Sequence, residues 1–197
     1  MRLLPLNAFV ARLAERIAAR TARGAEEAGA RRAAVAVVVS DEPAPALLFI
    51  RRQERAGDPW SGQMAFPGGF RAGPDESAIE TARRETLEET GLDLAGARGV
   101  GPLDDLNPRT PFLPPLVVTP WVFVVPARAA VVPGAEADAA VWIPVADLLT
   151  AEYRTTFVFQ LPGHSREFPA IQVGPHLIWG LTERILAQVF DLGGLAG

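Results

Sequence analysis

Apolar positions along the chain predict a helix at the N-terminus, followed by strands and further helices. Apolar residues recur at helical spacing among arginines and glutamates in residues 4–28, as in an amphipathic helix. Two apolar runs rich in β-branched residues, 33–39 and 46–52, are separated by prolines and predict buried strands. Weaker patterns predict strands at 64–66, 99–103, 116–125 and 140–143, and helices at 76–90, 144–150 and 176–192.

This order, in which strands surround a central helix and a helix closes the chain, indicates an α/β or α+β fold. We predict an N-terminal amphipathic helix within residues 1–30, appended to a domain over residues 31–197. Charged residues such as Arg12, Glu15 and Arg16 interrupt the apolar core that an export signal needs. No apolar run approaches the roughly 20 residues of a membrane span. We therefore expect a cytoplasmic protein with no membrane partner.

Composition removes several kinds of chemistry. The chain has no cysteine and no lysine, so all 19 basic residues are arginines. This excludes disulfides, thiolate nucleophiles, Schiff-base chemistry and a lysine-containing phosphate-binding loop. His164 and His176 are the two histidines, too few for a three-histidine metal site. A net charge of −4 argues against a nucleic-acid partner. Carboxylates, arginines and backbone groups are left for chemistry.

Three glutamates cluster near the end of the predicted central helix. Glu85, Glu88 and Glu89 stand at i, i+3 and i+4 and so share one side of the helix. Gly91 follows at the position of a helix C-cap, so the carboxylates crowd a last turn where the helix dipole disfavours negative charge. A hard divalent cation such as Mg²⁺ would offset their repulsion. A solvated acidic helix face is the alternative.

The stretch 66–94 resembles the Nudix box, written G-x5-E-x7-R-E-U-x-E-E-x-G-U with U an apolar residue. Two departures are visible: Gly69 precedes Glu76 by seven positions instead of six, and Thr86 occupies an apolar position. The extra residue falls in a loop, where changes of length are tolerated. The matching residues are Glu76, Arg84, Glu85, Glu88, Glu89, Gly91 and Leu92.

The resemblance implies a Nudix fold, a mixed β-sheet sandwiched between α-helices. It also implies an enzyme that uses Mg²⁺ or Mn²⁺ and water to cut a phosphorus–oxygen bond in a nucleoside diphosphate linked to another moiety. Arg84 would orient the carboxylates through Glu76, and either Glu89 or Glu85 would take the proton of the attacking water. The implied metal ligands are Glu85, Glu88 and Glu89, with the carbonyl of Gly69 as a further candidate.

Family members often recruit another acid from a later loop. Glu136, six residues before Trp142, is the candidate here, with Asp138 behind it. A charged loop between strands is the alternative interpretation of these two residues.

Residues 47–69 are similar to the signature of the coenzyme A pyrophosphatase branch, L-L-T-x-R-(S/A)-x3-R-x3-G-x3-F-P-G-G. Phe49 replaces the threonine, and Asp58 stands where a second arginine is expected. That arginine could pair with a phosphate, and Arg52 or Arg55 nearby would have to compensate for its loss. The matches are Leu47, Leu48, Arg51, Gly62, Phe66, Pro67, Gly68 and Gly69.

We therefore expect coenzyme A or a derivative as the substrate. ADP-ribose, nucleotide sugars and nucleoside triphosphates are alternative substrates, and a regulatory module that binds nucleotides without hydrolysis is an alternative of another class. A homodimer, common in the family, is a further expectation. The predicted substrate-binding residues are Arg51, Arg52, Arg55, Phe66 and Gly68.

Overall fold

The structure, a computed structural model, describes residues 8–54, 62–108, 114–161 and 164–195. The positions of Arg55 and Asp58, both singled out above, lie outside these ranges. The helices are α1 (Phe9–Ala18), α2 (Ala78–Thr90), α3 (Val145–Leu149) and α4 (Gly180–Gly193). The strands are β1 (Arg31–Ser40), β2 (Ala46–Arg52), β3 (Met64–Ala65), β4 (Gly68–Phe70), β5 (Arg98–Pro102), β6 (Leu116–Val125), β7 (Ala137–Pro144), β8 (Arg154–Leu161), β9 (His164–Val173) and β10 (His176–Trp179).

Strand β1 is the centre of a mixed sheet that contains β1 to β7 in the described residues. It runs parallel to β6 over its full length, and its other edge meets β2 and β4 in antiparallel orientation. Both faces of β1 are covered, which explains its nearly continuous apolar sequence.

The sheet forks between β1 and β2. Strand β7 pairs with one edge of β2 from Ala46 to Arg52. The other edge of β2 is shared by two strands: β1 pairs with it at Leu47, and β3 pairs with it at Ile50 and Arg51. Strand β4 pairs instead with the N-terminal half of β1. The stretch 64–70, here called the fork segment, therefore passes from the edge of β2 to the edge of β1. Its two glycines, Gly68 and Gly69, lie next to α2.

Helices cover both faces of the sheet. Helix α2 packs on one face, where Ala78 and Ala82 contact a core that includes Ala36 and Leu48. Helices α1 and α4 contribute to a larger core on the opposite face. A mixed sheet between helices confirms the predicted fold class.

The N-terminal helix is shorter than predicted: α1 ends at Ala18, and residues 21–27 form neither helix nor strand. Arg20 and Arg23 bind Asp104 at 2.6 and 2.7 Å. The backbone N–H of Ala25 binds the carboxylate of Asp105. These contacts hold the segment in a non-helical conformation along the loop after β5. No helix in the described parts of the chain is long and apolar enough to cross a membrane.

The second sheet, β8 to β10, was missed by the sequence patterns. The helix predicted from residue 176 was wrong over its first four positions, because His176–Trp179 pairs with β9 as a strand. The rings of Phe157, Phe159 and Phe168 surround Trp179, with centroid distances of 4.2 to 5.6 Å. This aromatic packing across strands favours the extended conformation.

Candidate active site

Helix α2 carries the three glutamates and has defined ends. The side chain of Ser77 accepts a hydrogen bond from the Glu80 backbone, and the side chain of Glu80 accepts one from the Ser77 backbone, which together form a capping box. The helix ends at Gly91, whose φ of 68° suits glycine. The glutamates therefore occupy the last turns of α2, as predicted.

A later loop completes the C-terminal end of α2. Residues 131–136, here called the capping loop, donate backbone hydrogen bonds from Val132 to Thr90 and from Gly134 to Glu89, both at 2.9 Å. A Cβ atom at Gly134 would overlap the carbonyl oxygen of Glu88. The loop therefore satisfies helix carbonyls that otherwise lack a partner, and it ends at Glu136 beside the helix.

Glu89 is the most buried of the three glutamates, with 5% of its surface exposed. Its carboxylate accepts a 2.8 Å hydrogen bond from the backbone N–H of Gly68 in the fork segment. Burial raises the pKa of Glu89 to about 7, against the opposing effect of the Gly68 hydrogen bond. The negative charges of Glu85 and Glu136 raise this pKa further, and the charge of Arg52 lowers it.

Glu85 lies directly against the neighbouring glycine. A Cβ atom at Gly69 would overlap the Glu85 carboxylate, so the absence of a side chain makes room for it. Burial raises the pKa of Glu85, and the hydrogen bond from Arg84 opposes that shift. The charges of Glu88 and Glu136 raise the pKa as well. The carboxylates of Glu89 and Glu85 thus face two adjacent glycines of the fork segment.

Arg84 holds the acids in position. Its guanidinium binds Glu76 at 2.9 Å, Glu85 at 2.8 Å and Glu88 at 3.3 Å. It also donates to the carbonyl of Phe70 at 3.0 Å. The Arg84 hydrogen bond is the main reason that the pKa of Glu76 falls to about 2. Glu76 is therefore a fixed anion that anchors Arg84.

The donor set suits a divalent cation without forming a closed cage. In the described parts of the chain, no three acidic or histidine side chains converge as a ready metal site. Mg²⁺, however, is usually held by one or two carboxylates together with water and substrate phosphates. Burial is the main cause of the raised pKa values of Glu85 and Glu89, and the charges of neighbouring carboxylates add to it, so a bound cation would stabilise the charged forms. The residues present fit such an ion.

The two adjacent arginines of β2 lie on opposite faces of the strand. Arg52 shares the face of Leu48, toward α2, in accord with its effect on Glu89. Arg51 shares the face of Phe49, toward β10, and its charge acts on His176. The shift in register at this point makes Asp138 an extra residue of β7.

The remaining predicted residues divide between the site and the core. Gly68 lies at the glutamates, as does Glu136. Phe66 is only 2% exposed and stacks on Phe49 with ring centroids 4.8 Å apart, so the structure places it in the core and not on a ligand-accessible surface.

Gly134 was not singled out from the sequence, although the dipeptide Pro133-Gly134 signals a turn.

Comparison with known proteins identifies the family. The NUDIX domain model matches residues 30–159. An uncharacterized protein of Schizosaccharomyces pombe is 42% identical over 116 residues, which cover 56% of this chain and 35% of that protein. The mitochondrial coenzyme A diphosphatase NUDT8 of Homo sapiens is 34% identical over 176 residues, 83% of this chain and 70% of that protein.

A crystal structure of a MutT/nudix family protein from Enterococcus faecalis has the same fold, with a TM-score of 0.58 at 19% identity. The alignment covers 85% of this chain and 63% of that chain. The chain thus spans about a third of the Schizosaccharomyces pombe protein and under two thirds of the Enterococcus faecalis one. The match to the domain model and the similarity to NUDT8 show that the chain belongs to the Nudix family.

Proposed function

We propose that this protein is a metal-dependent pyrophosphohydrolase that cleaves a nucleoside diphosphate linked to another moiety, with coenzyme A or a derivative as its substrate. The observation that carries the proposal is the convergence of the Glu85 and Glu89 carboxylates on Gly68 and Gly69. The similarity to NUDT8, which is named as a coenzyme A diphosphatase, supports the choice of substrate.

The acids of α2 would hold the metal ion. Glu85, Glu88 and Glu89 are the proposed ligands of Mg²⁺ or Mn²⁺, with the carbonyl of Gly69 as a further one. When bound, the ion neutralises charge on the phosphates and lowers the pKa of the attacking water. Arg84 contacts both Glu85 and Glu88, so it is the proposed positioning residue for these ligands.

Glu89 is the proposed general base. A base works best when its pKa lies near the operating pH, and the pKa of Glu89 is raised to about 7. Glu85 suits this role less well because Arg84 binds its carboxylate at 2.8 Å. Glu136, whose charge acts on both acids, is a second candidate for the proton or for the metal.

The substrate diphosphate would lie between the acids and Arg52. Arg52 is on the α2 face of β2, where its charge acts on Glu89. Gly69 has no side chain, which lets the Glu85 carboxylate lie directly against the fork segment beside this position. Arg51 is on the other face of the strand, so any role it has in binding concerns another part of the substrate.

A substrate panel tests the proposal. Coenzyme A, ADP-ribose, a nucleotide sugar and a nucleoside triphosphate are incubated with Mg²⁺ or Mn²⁺, and products are identified by chromatography. Release of adenosine 3′,5′-bisphosphate and phosphopantetheine establishes the proposed substrate. Preference for another diphosphate reassigns it, and affinity without turnover across the panel favours the regulatory alternative.

Variants test the assignment of residues within that panel. Glu88→Gln and Glu89→Gln should each lower turnover sharply while the fold is retained. Glu152→Gln, at an exposed glutamate remote in sequence from the box, is the matched control. Full activity in both box variants would refute the metal assignment. A cytoplasmic location and a homodimer stay predictions, the second open to light scattering on the purified chain.

A further inference from the structure

Strand β8 lies at the edge of the second sheet. One of its edges pairs with β9 from Arg154 to Leu161 without a shift in register. In the ranges that the structure describes, no strand pairs with its other edge. The backbone N–H and C=O groups along such an edge form a template on which a further strand can pair.

The other strands with a free edge are short or irregular. Strands β3, β4 and β10 have two, three and four residues. Strands β5 and β7 pair with a shift in register, and Ile17 of α1 lies against β5 at Gly101. Short strands, bulges and cover by a helix all hinder pairing between sheet edges. Strand β8 instead combines a length of eight residues with a regular ladder.

The residues of β8 favour pairing. The stretch 155–160, TTFVFQ, contains no charged residue, proline or glycine, and is rich in β-branched and aromatic side chains. Val158 is 41% exposed on one face of the strand. On the other face, Phe157 and Phe159 are half-buried against Trp179. These apolar side chains would gain cover from a strand added at the edge, and no charge in this stretch opposes the addition.

We propose that the free edge of β8 pairs with β8 of a second copy of this chain, in antiparallel orientation about a two-fold axis at Val158. The pairing joins β8 to β10 of both copies into one continuous sheet. An uncharged edge binds through main-chain hydrogen bonds and apolar contacts, and an identical strand supplies both equally. The inference goes beyond the proposed function and does not depend on it.

The two-fold axis fixes which residues face each other. When the axis is normal to the sheet, facing residues lie on the same face, and the residue on the axis faces its own copy. An axis at Val158 therefore pairs Val158 with Val158 of the second copy, and Phe157 with Phe159 of the second copy. This register uses residues 155–161 of both strands and leaves Arg154 outside the pairing. It also joins the aromatic rings around Trp179 in the two copies.

Light scattering on the full chain tests the association. The wild type should have the mass of two chains. Val158→Lys places two like charges at the axis and should raise the dissociation constant at least about 100-fold. Val132→Lys, the same change at a valine that is 70% exposed in the capping loop, should remain a dimer. A wild type that stays a single chain at its highest soluble concentration, or a Val158→Lys dimer as stable as the wild type, would overturn the proposal.

Disulfide formation tests the register, because the chain has no cysteine of its own. Facing residues of an antiparallel ladder have Cα atoms about 4.5–5.5 Å apart, which suits a disulfide. Val158→Cys should therefore form a covalent dimer on mild oxidation. Glu167→Cys, which faces Val158 from β9, would lie about 14 Å from its copy and should not.

The outcomes of the cross-linking are decisive either way. A covalent dimer formed by Val158→Cys alone supports the pairing, whereas no cross-link at Val158, or an equal yield from Glu167→Cys, refutes it. Thermal unfolding identifies any variant that loses the fold. Val158 is exposed, so both of its variants should unfold near the wild-type temperature. The charge substitution and the cross-link each decide the proposal separately.

Discussion

The backbone N–H of Gly68 donates a 2.8 Å hydrogen bond to the carboxylate of Glu89 and thereby joins the fork segment to the last turn of α2. Gly68 also rests on β1, where an added Cβ atom would lie 2.6 Å from the Cα atom of Val35. The three atoms nearest to an added Cβ atom at Gly69 all belong to the Glu85 carboxylate. The two adjacent glycines therefore serve different purposes, one in the fold and one in the site.

Alanine substitutions should separate these purposes. Gly68→Ala is expected to lower the free energy of unfolding by about 1–3 kcal/mol, because two backbone segments must move apart. Gly69→Ala should unfold near the wild-type temperature but lose turnover, because the flexible Glu85 side chain is displaced. Gly96→Ala, where nothing lies within 4 Å of the new Cβ atom, is the control. Full turnover in Gly69→Ala would contradict the placement of Glu85.

The pKa of Glu89 predicts how stability depends on pH. The folded protein keeps this proton up to about pH 7, whereas the unfolded chain loses it near 4.5. The folded state therefore binds more protons between these values, and the contribution of Glu89 to stability falls as the pH rises through them. Glu89→Gln should remove this loss and be more stable than the wild type above pH 7, by up to roughly 3 kcal/mol.

Urea unfolding from pH 4.5 to 8 in the presence of a chelator measures this difference. The gain of Glu89→Gln over the wild type should be small at the acid end and grow toward pH 7. Glu152→Gln should show no such trend. A gain that is independent of pH would mean that Glu89 is not the group that titrates.

Arg84 and its neighbour Arg83 form a matched pair on α2. Arg84→Gln should lower turnover and metal affinity by about 10- to 100-fold, because Glu85 and Glu88 lose the cation that orients them. Arg83 stands over the ring of Phe123 at 5.7 Å, so Arg83→Gln should leave both quantities close to the wild type. Turnover at saturating substrate and Mn²⁺ titration are the measurements. Similar losses in both variants would indicate a general effect of positive charge on α2.

The capping loop should be sensitive at Gly134. Gly134→Ala is expected to destabilise the protein by about 1–3 kcal/mol, because the new Cβ atom meets the backbone of Glu88. It should also reduce turnover, since the loop that presents Glu136 must move away from α2. Glu136→Gln should reduce turnover without the loss of stability, and Asp138→Asn should change neither. Wild-type stability and activity in Gly134→Ala would contradict the claim that the capping loop packs tightly on α2 and positions Glu136.

The local elements were predictable where a single segment contains its own signals. The strand 46–52 and the strand 116–125 were found with their observed bounds because apolar runs ended at clear breaks. Helix α2 ends one residue before Gly91, as its sequence indicated. The hairpin of β8 and β9 was missed because its aromatic residues pack against Trp179, a later residue of the chain, and this contact is not visible in the local sequence.

The sequence by itself determined the acidic face of α2, since helical spacing alone sets Glu85, Glu88 and Glu89 on one side. It also determined the burial of β1, whose apolar run requires cover on both faces. Only the tertiary structure decided which face of β2 meets α2, that Phe66 belongs to the core, and that the capping loop closes α2. These outcomes depend on contacts between segments distant in the chain, where the fork of the sheet fixes which backbone groups are near enough to bond.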